Sequence, residues 1–208
     1  MAQNTRQKIV DTALTLFNLK GADQVSIRDV ASKAGISHGN LCYYFPNIEN
    51  LVENLYLQLA AEQDELFIRM TAKDISLQTL KASSKESLTL LYKYRFLMLD
   101  FVAVMRKSKQ VRAHYRHLFK LRKDQFRNVF AWMIAEGYLR PEMYPGHYEK
   151  VIEQMFIVGD FWMASSEILY DGKEKDKIAH YADIIDHVLF PYLTPKAMQI
   201  PDADVPSA

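Results

Sequence analysis

The sequence predicts an all-α fold of about nine helices, with a short three-helix N-terminal unit followed by a larger helical body. Three observations carry this. Between Pro46 and Gly137 the chain runs ninety residues without glycine or proline, the two residues that most strongly interrupt a helix. Apolar residues recur at helical spacing, not in the alternation of a half-buried strand. Residues 26–45, SIRDVASKAGISHGNLCYYF, read as two short helices hinged at a glycine.

A first helix over 5–20 has Ile9, Val10, Ala13, Leu14 and Phe17 on one face and closes at Gly21. The second opens at Ser26, a good N-cap, with Asp29 in a weak version of the capping box and favourable to the positive helix end. Its stripe is Ile27, Val30, Ala31 and Ala34. Gly35 follows, where only glycine takes a left-handed turn cheaply. Ser37 caps a third helix, 38–44, which buries Leu41 and turns His38, Gly39, Asn40, Tyr43 and Tyr44 outward. Pro46 and Asn47 open a long helix, 48 to about 71, striped by Leu51, Val52, Leu55, Tyr56, Leu59, Ala60, Leu66, Phe67 and Met70. Further helices are expected at about 76–93, 95–106, 108–136, 147–169 and 174–190, with joints at the polar clusters 73–76, 94–95 and 107–109. Residues 191–208 hold four of the seven prolines, so the chain beyond about Thr194 is expected to be extended or disordered. The domain boundaries expected are 1–47, 48–194 and a tail at 195–208.

Two short helices hinged in this way present one helix to a DNA groove. Asparagine bonds an adenine edge in two places, tyrosine and serine hydroxyls reach phosphate, and a glycine near the helix start lets backbone approach the duplex. The candidate DNA-binding residues are Ser26, Arg28, Ser37, His38, Gly39, Asn40, Tyr43, Tyr44 and Asn47. The bland alternative is a helical hairpin in an ordinary α domain, its polar residues merely solvated.

The headpiece as a whole resembles the TetR family of bacterial regulators. Ala31, Ala34-Gly35-Ile36-Ser37, Gly39, Leu41, Tyr43-Tyr44-Phe45 and Leu51 fall where the family pattern expects them, and the match is strong over about the first sixty residues. Two positions depart from it: Cys42 stands where the family usually has a tyrosine, and Ile48 where it usually has a lysine. Both usual residues hold phosphates. Arg28, Tyr43, Tyr44 and Asn47 would carry more of the backbone grip, and binding should depend less steeply on salt. The resemblance implies a ligand-responsive repressor that binds double-stranded DNA as a homodimer, and two-fold symmetry then implies a palindromic operator. It also implies that a small apolar or amphipathic effector pulls on the helix from Ile48 and misplaces the headpieces.

In the body, the run MFIVGDFWMA at 155–164 is apolar on nearly every side and needs cover on more than one face. Gly159 in mid-helix fits a close helix crossing. The helix after it offers a stripe of its own, so Met155, Phe156, Gly159, Ile178, Tyr181, Ile185 and Val188 are the expected dimer interface. Tyr92, Phe96, Asp100, Met105, Phe119, Phe126, Phe130 and Trp162 are the expected effector pocket, with plain core as the alternative for each. Asp100 and Asp160 stand out as carboxylates on apolar helices, which need a partner: an internal arginine or a ligand. Residues 92–127 hold eleven Lys or Arg against two acids, and 128–208 six against thirteen, so the body's basic helix face is expected to be solvated or paired with the acidic half, with an anionic effector or a supplementary DNA contact as the alternatives.

Other classes are disfavoured. None of the six histidines has a glutamate three residues before it, and there is no phosphate-cradling glycine loop or nucleophile elbow, so no catalytic residue, metal or cofactor is expected. With one cysteine there is no internal disulfide framework, and Cys42 is read as a small residue in an aromatic's place more readily than as a redox sensor. No apolar run is long enough for a membrane span and the first residues carry Arg6, Lys8 and Asp11, so a cytoplasmic protein is expected. A TetR-like architectural DNA-binding protein without effector, and a helical small-molecule carrier, remain as alternatives.

Overall fold

The structure, a computed structural model, describes residues 2–72 and 77–198. Among them are eleven α-helices: α1 (Ala2–Lys20), α2 (Ile27–Ala34), α3 (His38–Tyr44), α4 (Ile48–Ala72), α5 (Leu77–Lys93), α6 (Arg95–Leu99), α7 (Phe101–Lys107), α8 (Lys109–Ala135), α9 (His147–Leu169), α10 (Lys177–His187) and α11 (Pro195–Met198). The only extended pairing among the described residues is one isolated bridge, Leu139 to Leu193. The chain divides into two compact units, residues 1–64 with 90–112, and residues 65–89 with 113–208. Helices α4, α5 and α8 contribute residues to both.

In the first unit α1 packs on α2 and α2 on α3. Ile9, Val10, Ala13 and Phe17 close against Val30, Ala31, Ala34, Leu41 and Phe45, with Leu51 and Leu55 of α4, all buried. Each large apolar side chain removed from water in this way contributes about 1.5–3 kcal/mol. The α1 stripe differs by one residue from expectation: Leu16 is buried, and Leu14 only half so, because it lies at the stripe's edge.

The 90–112 segment belongs to this unit, which the sequence did not suggest. Phe96 packs on Phe17, ring centroids 5.1 Å apart. The side chain of Asn18 donates to the carbonyl of Lys93 at 2.8 Å and accepts from the N–H of Phe96 at 3.2 Å. Glu62 accepts from Tyr94 at 2.6 Å and pairs with Lys93 at 2.7 Å, and Ser108 donates to Glu53 at 2.7 Å. The expected helix 95–106 is in fact two, α6 and α7, sharing the exposed Asp100 as a cap with φ −101° and ψ 19°. The joints expected at 94–95 and 107–109 fall at Tyr94 and at Ser108, whose hydroxyl accepts from the Val111 N–H at 3.1 Å and so caps α8. The joint expected at 73–76 lies outside the described residues.

The second unit has a core of Val129, Phe130 and Met133 from α8, Leu139, Tyr148, Val151 and Ile152 from the turn and α9, and Ala197 from α11. The expectation of an extended chain beyond Thr194 is corrected as far as Met198. Thr194 donates its backbone N–H to Tyr138 and its hydroxyl to Gly137, Pro195 opens a short helix, and Ala197 is buried. Proline at a first helical position has a dihedral already suited to the helix, which explains why it starts one here. The rest of the expected tail lies outside the described residues.

Candidate nucleic-acid interface

The geometry of α2 and α3 follows from four short-range devices. Ser26 and Asp29 form a full capping box: the Asp29 N–H reaches the Ser26 hydroxyl at 3.2 Å, and the Ser26 N–H reaches the Asp29 carboxylate at 2.8 Å. These bonds from Ser26, side chain first, hold the Asp29 carboxyl below its ordinary range. Gly35 sits left-handed, φ 66° and ψ 37°, and the Ile36 N–H returns to the Ala31 carbonyl at 3.1 Å, closing α2. Ser37 accepts from the Asn40 N–H at 3.2 Å and starts α3. Asn47 accepts from the Asn50 N–H at 2.9 Å and starts α4.

With Leu41 fully buried, α3 has one orientation open to it. Gly39 and Tyr43 then point away from the core, flanked by Asn40 on one side and His38 on the other. Tyr43 is 82% exposed and stands edge-on to the half-buried Tyr44, ring centroids 5.2 Å apart. A Cβ at Gly39 would meet nothing within 4 Å, so the backbone there is bare. Ser26, Arg28, Ser37, His38, Asn40 and Asn47 are all exposed. The nine residues thus share the surface of the α2–α3 motif and the start of α4. Three carry structural duties as well, since Ser26, Ser37 and Asn47 are helix caps.

The His38 ring lies along the helix against Cys42, Nε2 to Sγ 3.5 Å, and Cys42 is half-buried. Two basic residues near the motif were not singled out from the sequence. Arg6 lies over the Phe45 ring at 5.0 Å, and the Lys8 ammonium is the group nearest to Gly35's open side, 4.0 Å from where a Cβ would stand. Lys8 lies on α1 opposite its core stripe, whereas Arg6 continues that stripe one turn before Ile9 and Val10.

In the body the expected pocket residues separate. Tyr92, Phe96, Asp100 and Met105 fall in the first unit and Phe119, Phe126, Phe130 and Trp162 in the second. Phe96 is core against α1, and Asp100 is an exposed residue at the α6–α7 joint. Trp162 is 2% exposed and packs on Tyr181 of α10, ring centroids 5.3 Å apart. Phe119, Phe126 and Phe130 do come together, joined by Phe156, which lies 4.8 Å from Phe119 and 6.0 Å from Phe126 by ring centroid. Phe67 of α4 stands 6.1 Å from Phe126.

The expected dimer residues need correction too. Tyr181 and Ile185 are buried within the protomer, and Phe156 turns to α8, because the apolar stripe of α10 covers α9 of its own chain. Met155, Gly159, Ile178 and Val188 are half-buried. The apolar side chains left in solvent on these helices are Ile157, Phe161, Ile168, Leu169 and Ile184. The first three follow helical spacing along one edge of α9.

Comparison with known proteins places the chain. Residues 58–200 match the family model described as "TetR: Bacterial transcriptional repressor". The chain belongs to the TetR family. Residues 9–55 match the model of the family's N-terminal part, "Bacterial regulatory proteins, tetR family". Among curated relatives, a probable HTH-type transcriptional regulator YttP of Bacillus subtilis is 36% identical over 55 residues, 26% of this chain and 27% of its own length. The regulator AcrR of Shigella flexneri is 32% identical over 72 residues, 35% of this chain and 34% of its own. The matched segments thus span about a third or less of those relatives. Among solved structures, a TetR-family transcriptional regulator from Marinobacter aquaeolei VT8 aligns over 93% of this chain and 94% of its own with TM-score 0.81 at 23% identity. SmeT, the repressor of a Stenotrophomonas maltophilia multidrug efflux pump, aligns over 99% and 98% with TM-score 0.70 at 16% identity. At these identities the likeness is one of fold.

Proposed function

We propose that this TetR-family chain is a sequence-specific DNA-binding regulator, acting as a ligand-responsive repressor, and not an enzyme. The observation that carries the reading is α3: a helix fixed by Leu41, Gly35 and Ser37 that turns Gly39, Asn40 and Tyr43 to solvent. Such a face has the donors and acceptors for base edges and the bare backbone for close approach. Neither α3 nor its caps carries a lysine or arginine, so the phosphate grip falls to Arg28, Arg6 and Lys8, with the hydroxyls of Ser26, Ser37, Tyr43 and Tyr44 and the amide of Asn47.

The protein acts as a homodimer on a palindromic operator. The exposed apolar edge of Ile157, Phe161 and Ile168, with Leu169 and Ile184, is the surface a second copy covers. The chain works in the cytoplasm, where its DNA target lies, and no described helix is long and apolar enough to cross a membrane. The domain division is a headpiece at 1–47 and a body from 48. The effector is a small apolar or amphipathic molecule, received among Phe119, Phe126, Phe130 and Phe156. SmeT offers a precedent in kind, having been solved in complex with triclosan.

Selection of bound duplexes from a random pool at near-physiological salt tests the reading. Enrichment of a two-fold symmetric sequence is the expected result. A folded, dimeric protein that enriches nothing would contradict it and favour an architectural or carrier role.

A further inference from the structure

Helices α8 and α9 face each other in antiparallel register through four rungs of the second unit. Arg127 meets Glu149, and Lys123 meets Glu153 at 2.9 Å while also reaching Glu149 at 2.9 Å. Phe119 then meets Phe156, and Tyr115 meets Asp160. In the first two rungs each carboxylate has a cation. In the last it has, among the described residues, only a phenol O–H, which supplies one hydrogen bond and no compensating charge. Burial pushes the Asp160 carboxyl up to about 6, with the Tyr115 bond opposing, so the group is still largely ionised at neutral pH. One turn before it on α9 is Phe156, and one turn from Tyr115 on α8 is Phe119, the two rings 4.8 Å apart by centroid, with the Lys123 ammonium of the rung before over Phe119 at 5.7 Å. Beside it α9 has Gly159, where a Cβ would meet no atom within 4 Å, so the close crossing expected of that glycine is not made within the chain and the position is open.

We propose that Asp160 anchors an organic cation, a lipophilic ammonium, phosphonium or amidine whose charge sits against this carboxylate and whose apolar groups lie on Phe119 and Phe156. This names the effector class for the body and rests on the reading of the protein as a ligand-responsive regulator. A carboxylate and the negative faces of aromatic rings act in the same sense on a cation, and both disfavour an anion. The bound cation completes the last rung as Lys123 and Arg127 complete the first two.

The test compares tetraphenylphosphonium with tetraphenylborate, which match in size and shape and differ in the sign of charge, by calorimetric titration of the full chain. Binding of the phosphonium is expected, with the borate at least about tenfold weaker. Asp160→Asn, which keeps shape and the Tyr115 contact, should lose at least about tenfold in phosphonium affinity. Tyr115→Phe, which removes the competing donor, should retain it. Equal affinity for the two ions, no binding of the phosphonium, or an unchanged Asp160→Asn would each overturn the proposal; a melting curve shows that each variant is folded. Adding the phosphonium to a protein–duplex complex separates the two readings. Charge-selective binding without release of DNA supports the anchor and contradicts effector control. Release of DNA by other compounds, with no phosphonium bound, removes the anchor alone.

Discussion

Asn18 at the end of α1 accepts from the Phe96 N–H at 3.2 Å, and the same amide group donates to Lys93 across the Tyr94 joint, so one side chain holds α1 to the start of α6. Asn18→Ala should cost about 1–2 kcal/mol, two hydrogen bonds of ordinary net worth. Asn18→Asp keeps the acceptor but sets a carboxylate oxygen against the Lys93 carbonyl, and should cost at least as much. Urea unfolding at constant slope measures both, and an unchanged midpoint for Asn18→Ala would show that the clamp contributes nothing.

That clamp also marks the limit of what could be read locally. The α2–Gly35–α3 unit was legible because its signals are local: a cap at Ser26, a left-handed glycine, a cap at Ser37, one buried Leu41. Which segments meet across long stretches of chain was not. Nothing near Phe96 tells that it belongs against Phe17. On α10 periodicity correctly grouped Ile178, Tyr181, Ile185 and Val188 on a face, but a stripe does not say what covers it. Here the cover is α9 of the same chain, and the apolar side chains of α9 left in solvent include Ile157, Phe161 and Ile168. Asp160 was recognisable as a carboxylate in need of a partner, yet that partner, Tyr115, is fixed by the antiparallel register of two helices.

Gly35 takes a conformation, φ 66°, that an L side chain adopts only with strain. Gly35→Ala should therefore destabilise the protein by about 1 kcal/mol or more, although a Cβ there has nothing closer than Lys8 at 4.0 Å. The same variant should weaken specific DNA binding more than non-specific binding, because it tilts α3. Thermal melts and anisotropy titrations on specific and scrambled duplexes read the two effects.

The Asp160 carboxyl is raised to about 6, against an ordinary value near 3.8. An acid raised on folding weakens the fold while it is charged: the penalty is full above pH 6 and absent below about pH 4. Asp160→Asn should accordingly raise stability at pH 7.5 by about 1–3 kcal/mol and give no gain at pH 4. A gain independent of pH would mean that the desolvated charge is not its source.

Glu149 behaves in the opposite sense. Its bond to Arg127, and then that to Lys123, holds it down at about 2, so its contribution is present above the ordinary carboxylate value near 4.5 and is lost as pH falls toward 2. Part of the pair lies in solvent and is screened, so Glu149→Gln should cost only about 1 kcal/mol at pH 7. The difference from the parent chain should narrow between pH 4.5 and 2, as melts across that range would show.

The central claim is that the outward face of α3 reads DNA, and the specificity ratio tests it most directly. With a duplex enriched by selection and a scrambled duplex of equal length, the parent chain should prefer the first by about a thousandfold or more. Asn40→Ala should reduce that preference by about 1–3 kcal/mol while leaving dimer and melting temperature unchanged. Equal preference for the two duplexes by the parent chain, or an Asn40→Ala ratio identical to the parent's together with an unchanged Tyr43→Ala, would contradict the assignment of α3 as the reading helix.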